Sequence, residues 1–308
     1  MFDFISTGRY WDKPWSLISG CTPCSPGCTH CWALAMERRF RYKPFAGDKS
    51  GLHDISIQLH PERLDIPLKR RKPTAFSIWN DIAHESVPEK FRVRVFDIMA
   101  QCPQHIFLML TKRIGIMSRF EGWVRRLPNV WPGVTICNQP EADEKIPLLL
   151  QIPAAVHFIS YEPALGPLLI KWWLDGNHES GRKPSWLICG GETGPGARPM
   201  HPDWVRSVRD QCQAAEVPLF FKSWGEWAPR KHHGIHDEGR PWGTLEHDGQ
   251  FNPSTTPWNG RDDVKAWDGL HEAVMIRIGK KAAGRLLDGR TWDEIPERRS
   301  KCLGGELS

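Results

Sequence analysis

Thr74-Ala-Phe-Ser-Ile-Trp79, followed by a helical pattern and then by His105-Ile-Phe-Leu-Met-Leu110, sets the rhythm from which the fold is read. Both runs are short and apolar, as strands covered on both faces of a parallel sheet are. The same texture returns in Val130-Trp-Pro-Gly-Val-Thr-Ile136, Val156-His-Phe-Ile-Ser160, Trp186-Leu-Ile-Cys189 and Pro218-Leu-Phe-Phe-Lys222, with Pro132 weakening the first of these. Helix signals lie between them. Ser86-Val-Pro-Glu89 has the form of a capping box ahead of a face made by Phe91, Val95, Ile98 and Met99, and Trp204, Val208 and Cys212 recur four apart across residues 203–216. A first strand near Trp15-Ser-Leu-Ile-Ser19 and a helix near Trp32 to Phe40 complete the alternation. The pattern predicts an α/β fold: a complete or partial parallel (β/α) barrel over residues 1–225. Residues 226–308 are expected to form a C-terminal extension packed on the barrel, irregular to about Trp267 and ending in a strand over 273–278 and a helix over 280–287.

The chain has 308 residues, 40% apolar and 25% charged. No apolar run approaches the roughly 18 residues needed to span a bilayer, so no membrane partner is expected. The N-terminal residues lack the pattern of a secretion signal, which points to a reducing cytoplasm. Four of the nine cysteines fall between Cys21 and Cys31, and in such a compartment that clustering favours a metal over disulfides. A net charge of +5 permits a nucleic-acid partner, and sixteen tryptophans include candidates for stacking on bases or on an adenine.

In a parallel βα barrel the chemistry gathers at the strand ends and the loops after them. Here those ends carry Asn80 and Asp81, Thr111-Lys112-Arg113, Thr135 and Asn138, Ser160-Tyr161-Glu162, Gly190-Gly191-Glu192-Thr193, and Lys222-Ser223-Trp224. Glycines such as Gly190 and Gly191 let a ligand approach backbone, and a carboxylate such as Glu192 takes an ammonium. His201, His232 and His233 lack ligand spacing and read as surface or loop residues.

The loop at residues 20–32 holds two overlapping spacings, Cys24-x3-Cys28-x2-Cys31 and Cys21-x6-Cys28-x2-Cys31. The first matches the spacing by which radical S-adenosylmethionine (SAM) enzymes hold three irons of a [4Fe–4S] cluster, and soft thiolates suit such a cluster. Both share Cys28 and Cys31. The alternative is a zinc site made by all four thiols, although four tetrahedral ligands within eleven residues strain a loop.

Gly20-Cys21 through Ser25-Pro-Gly-Cys28-Thr-His-Cys31-Trp-Ala33 resembles the signature of the phage and bacterial three-cysteine-motif family of radical SAM-like proteins. Leu110-Thr-Lys-Arg113, Glu162-Pro163, Gly190-Gly-Glu192 and the stretch from Gly279 to Gly289 look like further blocks of that family. The family's cysteines fall on Cys21, Cys28 and Cys31, an apolar residue being usual where Cys24 stands; Trp32 replaces a usual tyrosine, and residues 77–84 depart from the common form. The resemblance implies a barrel of the radical SAM type that uses a [4Fe–4S] cluster, SAM and an external electron donor to make a 5′-deoxyadenosyl radical. It further implies that Asn80, Asp81, Thr111, Lys112, Ser160, Gly190, Gly191 and Glu192 serve the cofactor, and that Glu162 and Lys222 meet the substrate as catalytic groups. The expected substrate is a nucleic acid or modified nucleotide, such as a hypermodified thymidine whose base substituent is rearranged. Two alternatives remain: action on a protein or small metabolite, and a non-catalytic nucleic-acid-binding protein with a structural metal.

Overall fold

A computed structural model of the chain describes residues 8–35, 55–230, 239–257 and 272–297. Seven strands, all pairing in parallel, form its main sheet: β1 (Lys13–Trp15), β4 (Ala75–Ile78), β5 (Ile106–Thr111), β6 (Val130–Ile136), β7 (Phe158–Tyr161), β8 (Trp186–Gly190) and β9 (Leu219–Ser223). They lie side by side in chain order, and β1 and β9 are the two edges. The sheet is a partial barrel. Tyr10, just ahead of β1, puts its ring 5.9 Å from Trp186 and 6.0 Å from Phe220, so the opposite edges curl toward one another.

Alternation along each strand divides the core in two. Phe107, Met109, Val134, Ile136, Ile159, Leu187 and Phe221 face outward onto three principal helices, α1 (Glu89–Gln101), α2 (Gln139–Gln151) and α3 (Pro202–Ala214). Tyr10, Ala75, Ile106, Leu108, Trp131, Phe158, Trp186, Ile188 and Phe220 face inward and fill the lumen. Each fully buried ring contributes roughly 2–3 kcal/mol by leaving water. Pro132 is tolerated because pairing of β6 with β7 begins only at Gly133.

The expected first strand is split. Leu17 N–H bonds to the Trp15 carbonyl at 3.0 Å, turning the chain out of the sheet, and β2 (Ile18–Cys21) pairs antiparallel with β3 (Ile55–Leu59) instead. The cysteine loop therefore leaves a two-stranded ribbon rather than a barrel strand. The capping box also fails: Pro88 is the N-cap of α1, and the N–H of Ser86 goes to His84 Nδ1. Residues 32–35 are helical, and the remainder of the helix expected to Phe40 lies outside the described residues.

The extension contains more order than its composition implies. β10 (Trp227–Pro229), β11 (Trp242–Glu246), β12 (Phe251–Pro253) and β13 (Glu272–Arg277) make a four-stranded antiparallel sheet in the order β10-β13-β11-β12. Proline, glycine and exposed polar residues in strands of three to five residues hide it from a periodicity reading. The expected helix over 280–287 stops at Ala283, because Gly284 takes a φ of 66°. Beyond it the chain returns to the outer edge of β9, where Asp293 bridges Phe220 and Glu294 exchanges bonds with Leu219.

Gly133 occupies an inward position where a Cβ would meet the Phe158 ring at 2.3 Å. Gly133→Ala is expected to cost about 1–3 kcal/mol in denaturant unfolding, and Phe158→Leu in the same chain should recover part of that loss.

Candidate functional site

Followed toward their C-terminal ends, the inward positions change from rings to polar groups. The register that carries Leu108 and Leu110 reaches Lys112, that of Trp131 reaches Thr135 and Cys137, that of Phe158 reaches Ser160 and Glu162, and that of Phe220 reaches Lys222. Lys222 Nζ is ion-paired with Glu162 Oε1 and stands 5.8 Å from the centre of the Tyr10 ring. Burial opposes the Lys222 ammonium, but Glu162 and Tyr10 overcome that and hold it above its ordinary value. Burial pushes the Tyr10 hydroxyl up to about 12, with Lys222 and Lys112 opposing and Glu162 adding to the rise. Gly190 borders the pair: a Cβ there would lie in ordinary contact, 3.4 Å from Lys222 Cβ and 3.5 Å from Glu162 Cδ.

Across this mouth runs the cysteine loop, touching the segment after each of five strands. After β4, His84 Nε2 shares a hydrogen bond with Thr22 Oγ1 at 2.9 Å, and Asn80 holds the Ile18 carbonyl of β2, ahead of the loop, at 2.8 Å. Arg113, after β5, donates to both the carbonyl and the hydroxyl of Thr22 at 2.7 Å. After β6, Cys137 lies beneath Gly27, where a Cβ would meet its Sγ at 2.5 Å and the ring of Pro163, after β7, at 3.0 Å. After β8, Arg198 donates to the Pro26 carbonyl at 3.0 Å, and Gly196 sits against the His30 ring. Locally the loop is built on Ser25, which accepts from Gly27 N–H and starts a 3-10 turn over Pro26–Cys28 with proline at its first position.

The thiols have distinct surroundings. Cys28 is buried, Cys21 and Cys31 are partly exposed, and Cys24 is exposed. A hydrogen bond from Cys24 brings the Cys28 thiol down to about 5 and raises that of Cys24. Burial pushes Cys21 up, and the Arg113 guanidinium works against that rise. Lys112 is the link to the lumen: burial alone would depress it, yet Cys28, Cys137, Cys31 and Asp81 together keep its ammonium above the usual range. Burial, followed by Glu141, pushes Cys137 up to about 12.

Several expected site residues are engaged in holding the loop. Asp81 accepts from Thr111 Oγ1 at 2.6 Å, from Ala83 N–H at 3.0 Å and from Arg113 Nη1 at 3.3 Å. Glu192 takes Arg198 in a two-point pair at 2.6 and 2.9 Å. Gly191 answers to backbone crowding, because a Cβ there would meet the Trp224 carbonyl at 2.0 Å. Lys112, Ser160, Glu162, Gly190 and Lys222 share the inward face. His201 is a correction: it is buried and caps α3 by accepting from Asp203 N–H at 3.1 Å, while His232 and His233 lie outside the described residues. Tyr10 and Cys137 were not expected here. Cys137 was legible from the two-residue period running on from Trp131; Tyr10 precedes the first strand and carries no such signal.

A family model described as a protein of unknown function, DUF5131, matches residues 6–296. The chain belongs to the DUF5131 family. No match was found among curated proteins or among solved structures.

Among the described residues no three His, Cys, Asp or Glu side chains are gathered to hold a metal ion. The thiols are turned to local partners instead, as where Cys21 Sγ donates to the Thr22 carbonyl at 3.6 Å. The donor chemistry nevertheless fits an iron–sulfur cluster: soft sulfur ligands on one short loop, with Lys112 and Arg113 placed to offset the charge of thiolates.

Arg198→Ala leaves the Glu192 carboxylate buried without its cation and frees the Pro26 carbonyl. A loss of about 3 kcal/mol in unfolding free energy is expected, with faster proteolytic cleavage between residues 22 and 30.

Proposed function

We propose that this chain is a radical SAM enzyme that modifies or rearranges a substituent on a nucleobase. The observation that carries the reading is the cysteine loop lying across the C-terminal mouth of a parallel partial barrel, with Lys112 set between its thiols and the polar end of the lumen. Cys21, Cys28 and Cys31 would hold a [4Fe–4S] cluster. When bound, the cluster and SAM supply the electron transfer and carbon–sulfur cleavage that yield a 5′-deoxyadenosyl radical.

The protein's own residues supply position and proton control. Lys112 Nζ, beside Cys28 and Cys31, would hold a carboxylate such as that of SAM. Lys222 Nζ, kept as a charged ammonium by Glu162 and Tyr10 beside it, donates a hydrogen bond to the substrate, and Glu162 Oε1 is placed to take a proton from it. Ser160 adds a buried inward hydroxyl, and Gly190 borders the pair without a side chain of its own. The aromatic floor below excludes water from this chamber. A nucleobase is supported by the mouth itself: Trp32 packs edge-on against Trp79 at 5.1 Å, and Trp79 against Trp11 at 5.8 Å, which gives flat apolar faces beside the loop.

The test is anaerobic reconstitution with iron and sulfide, followed by SAM, a reductant and DNA carrying modified thymidines. Iron, acid-labile sulfide and 5′-deoxyadenosine are expected; one zinc per chain without sulfide would overturn the cluster, and turnover only with peptides or metabolites would move the substrate. Lys222→Met should keep the iron content and lower turnover by roughly 100-fold or more.

A further inference from the structure

Arg113 has a complete set of partners. A guanidinium carries five N–H groups, and here Nε goes to Glu85 at 3.0 and 3.1 Å, Nη1 to Asp81 Oδ2 at 3.3 Å and Cys21 Sγ at 3.7 Å, and Nη2 to the carbonyl and hydroxyl of Thr22 at 2.7 Å each. Its side chain is only 6% exposed. Asp81, which shares Nη1, is itself fixed by Thr111 and Ala83, so the guanidinium is anchored on the barrel before it reaches the loop. A thiol is a poor acceptor, and a charged N–H aimed at sulfur gains most when the sulfur is a thiolate.

We infer that Arg113 is the positioning residue of the cluster loop: it selects Cys21 as the third sulfur ligand over Cys24 and tunes the cluster through an N–H to sulfur hydrogen bond. The inference rests on the cluster reading above and adds to it a residue and a direction. The Arg113 charge reaches both Cys24 and Cys21, but Cys24 is exposed and takes no N–H bond from it, whereas Cys21 and the adjoining Thr22 are held through both terminal nitrogens. Hydrogen bonds to cluster sulfurs favour the more negatively charged, reduced state, so Arg113 raises the reduction potential. Lysine cannot replace it, because three donors from one point cannot reach Glu85, Asp81, Cys21 and Thr22 together.

The full-length chain is reconstituted anaerobically and compared with Arg113→Lys, Cys21→Ala and Cys24→Ala. Iron and sulfide content, the midpoint potential from a mediated titration, and the pulsed electron paramagnetic resonance of the reduced cluster in chain labelled with 15N-arginine are read. Cys24→Ala should retain the cluster and Cys21→Ala should lose it. Arg113→Lys should retain most of the iron, shift the midpoint to more negative potential and lose a 15N coupling present in the parent. The parent's own 15N signal needs no variant, so a poorly folded Arg113→Lys does not stall the test. A parent that forms the cluster without guanidinium coupling, an unchanged midpoint in Arg113→Lys, or loss of the cluster from Cys24→Ala in place of Cys21→Ala overturns this inference alone. A parent that takes up zinc and no sulfide overturns the cluster reading, and this inference with it.

Discussion

A strand in a sheet must send successive side chains to opposite faces, and seven parallel strands obeying that rule in step give this molecule its inside. Because all seven run the same way, everything that the sequence places late in a strand arrives at the same end of the lumen. Rings early in the register make a dry floor from Trp131, Phe158, Trp186 and Phe220. Ionisable groups late in the register make a polar mouth from Lys112, Glu162 and Lys222. The free energy released by burying the floor offsets the cost of dehydrating the mouth, which no isolated loop could sustain.

The loop over that mouth has little structure of its own beyond one 3-10 turn, and two arginines compensate. Arg113 and Arg198 come from opposite sides of the mouth, and each is fixed by a buried carboxylate, Asp81 or Glu192, while it reaches a loop carbonyl, that of Thr22 or Pro26. Backbone carbonyls in a tight, proline-containing loop have few intrachain donors, and charged N–H groups satisfy them at short range. The thiols are thus carried on a frame whose position is set by the barrel.

The parallel sheet was legible because buried strands write themselves as short apolar runs with β-branched and aromatic residues, and six of the seven fall where those runs lie. The first strand was misjudged because Trp15-Ser-Leu-Ile-Ser19 is equally apolar on both sides of the turn at Leu17, and only a backbone hydrogen bond divides it. The antiparallel sheet of the extension was not legible, since Pro229, Gly243 and Pro253 erase the period that strands of this length would need. In the candidate site the strand-end rule found Lys112, Glu162 and Lys222, but it could not tell a carboxylate that faces the lumen from one already occupied. Asp81 and Glu192 are taken by arginines that also hold the loop, whereas Glu162 pairs with Lys222 on the inward face, and neither Arg113 nor Arg198 announces its target in the sequence.

The gap between β1 and β9 is covered by residues drawn from both halves of the chain. Tyr10 closes it from one side; Asp293, Glu294 and Ile295 close it from the other, with Arg285 paired to Asp293 and lying 5.3 Å from the Phe220 ring. A nascent chain therefore carries a sheet with one edge uncovered until some residues past 290 have emerged, although every group at the polar mouth has by then been synthesised. The last turn of the backbone onto β9 thus covers the inward rings at the open edge only after the polar residues above them are already in the chain.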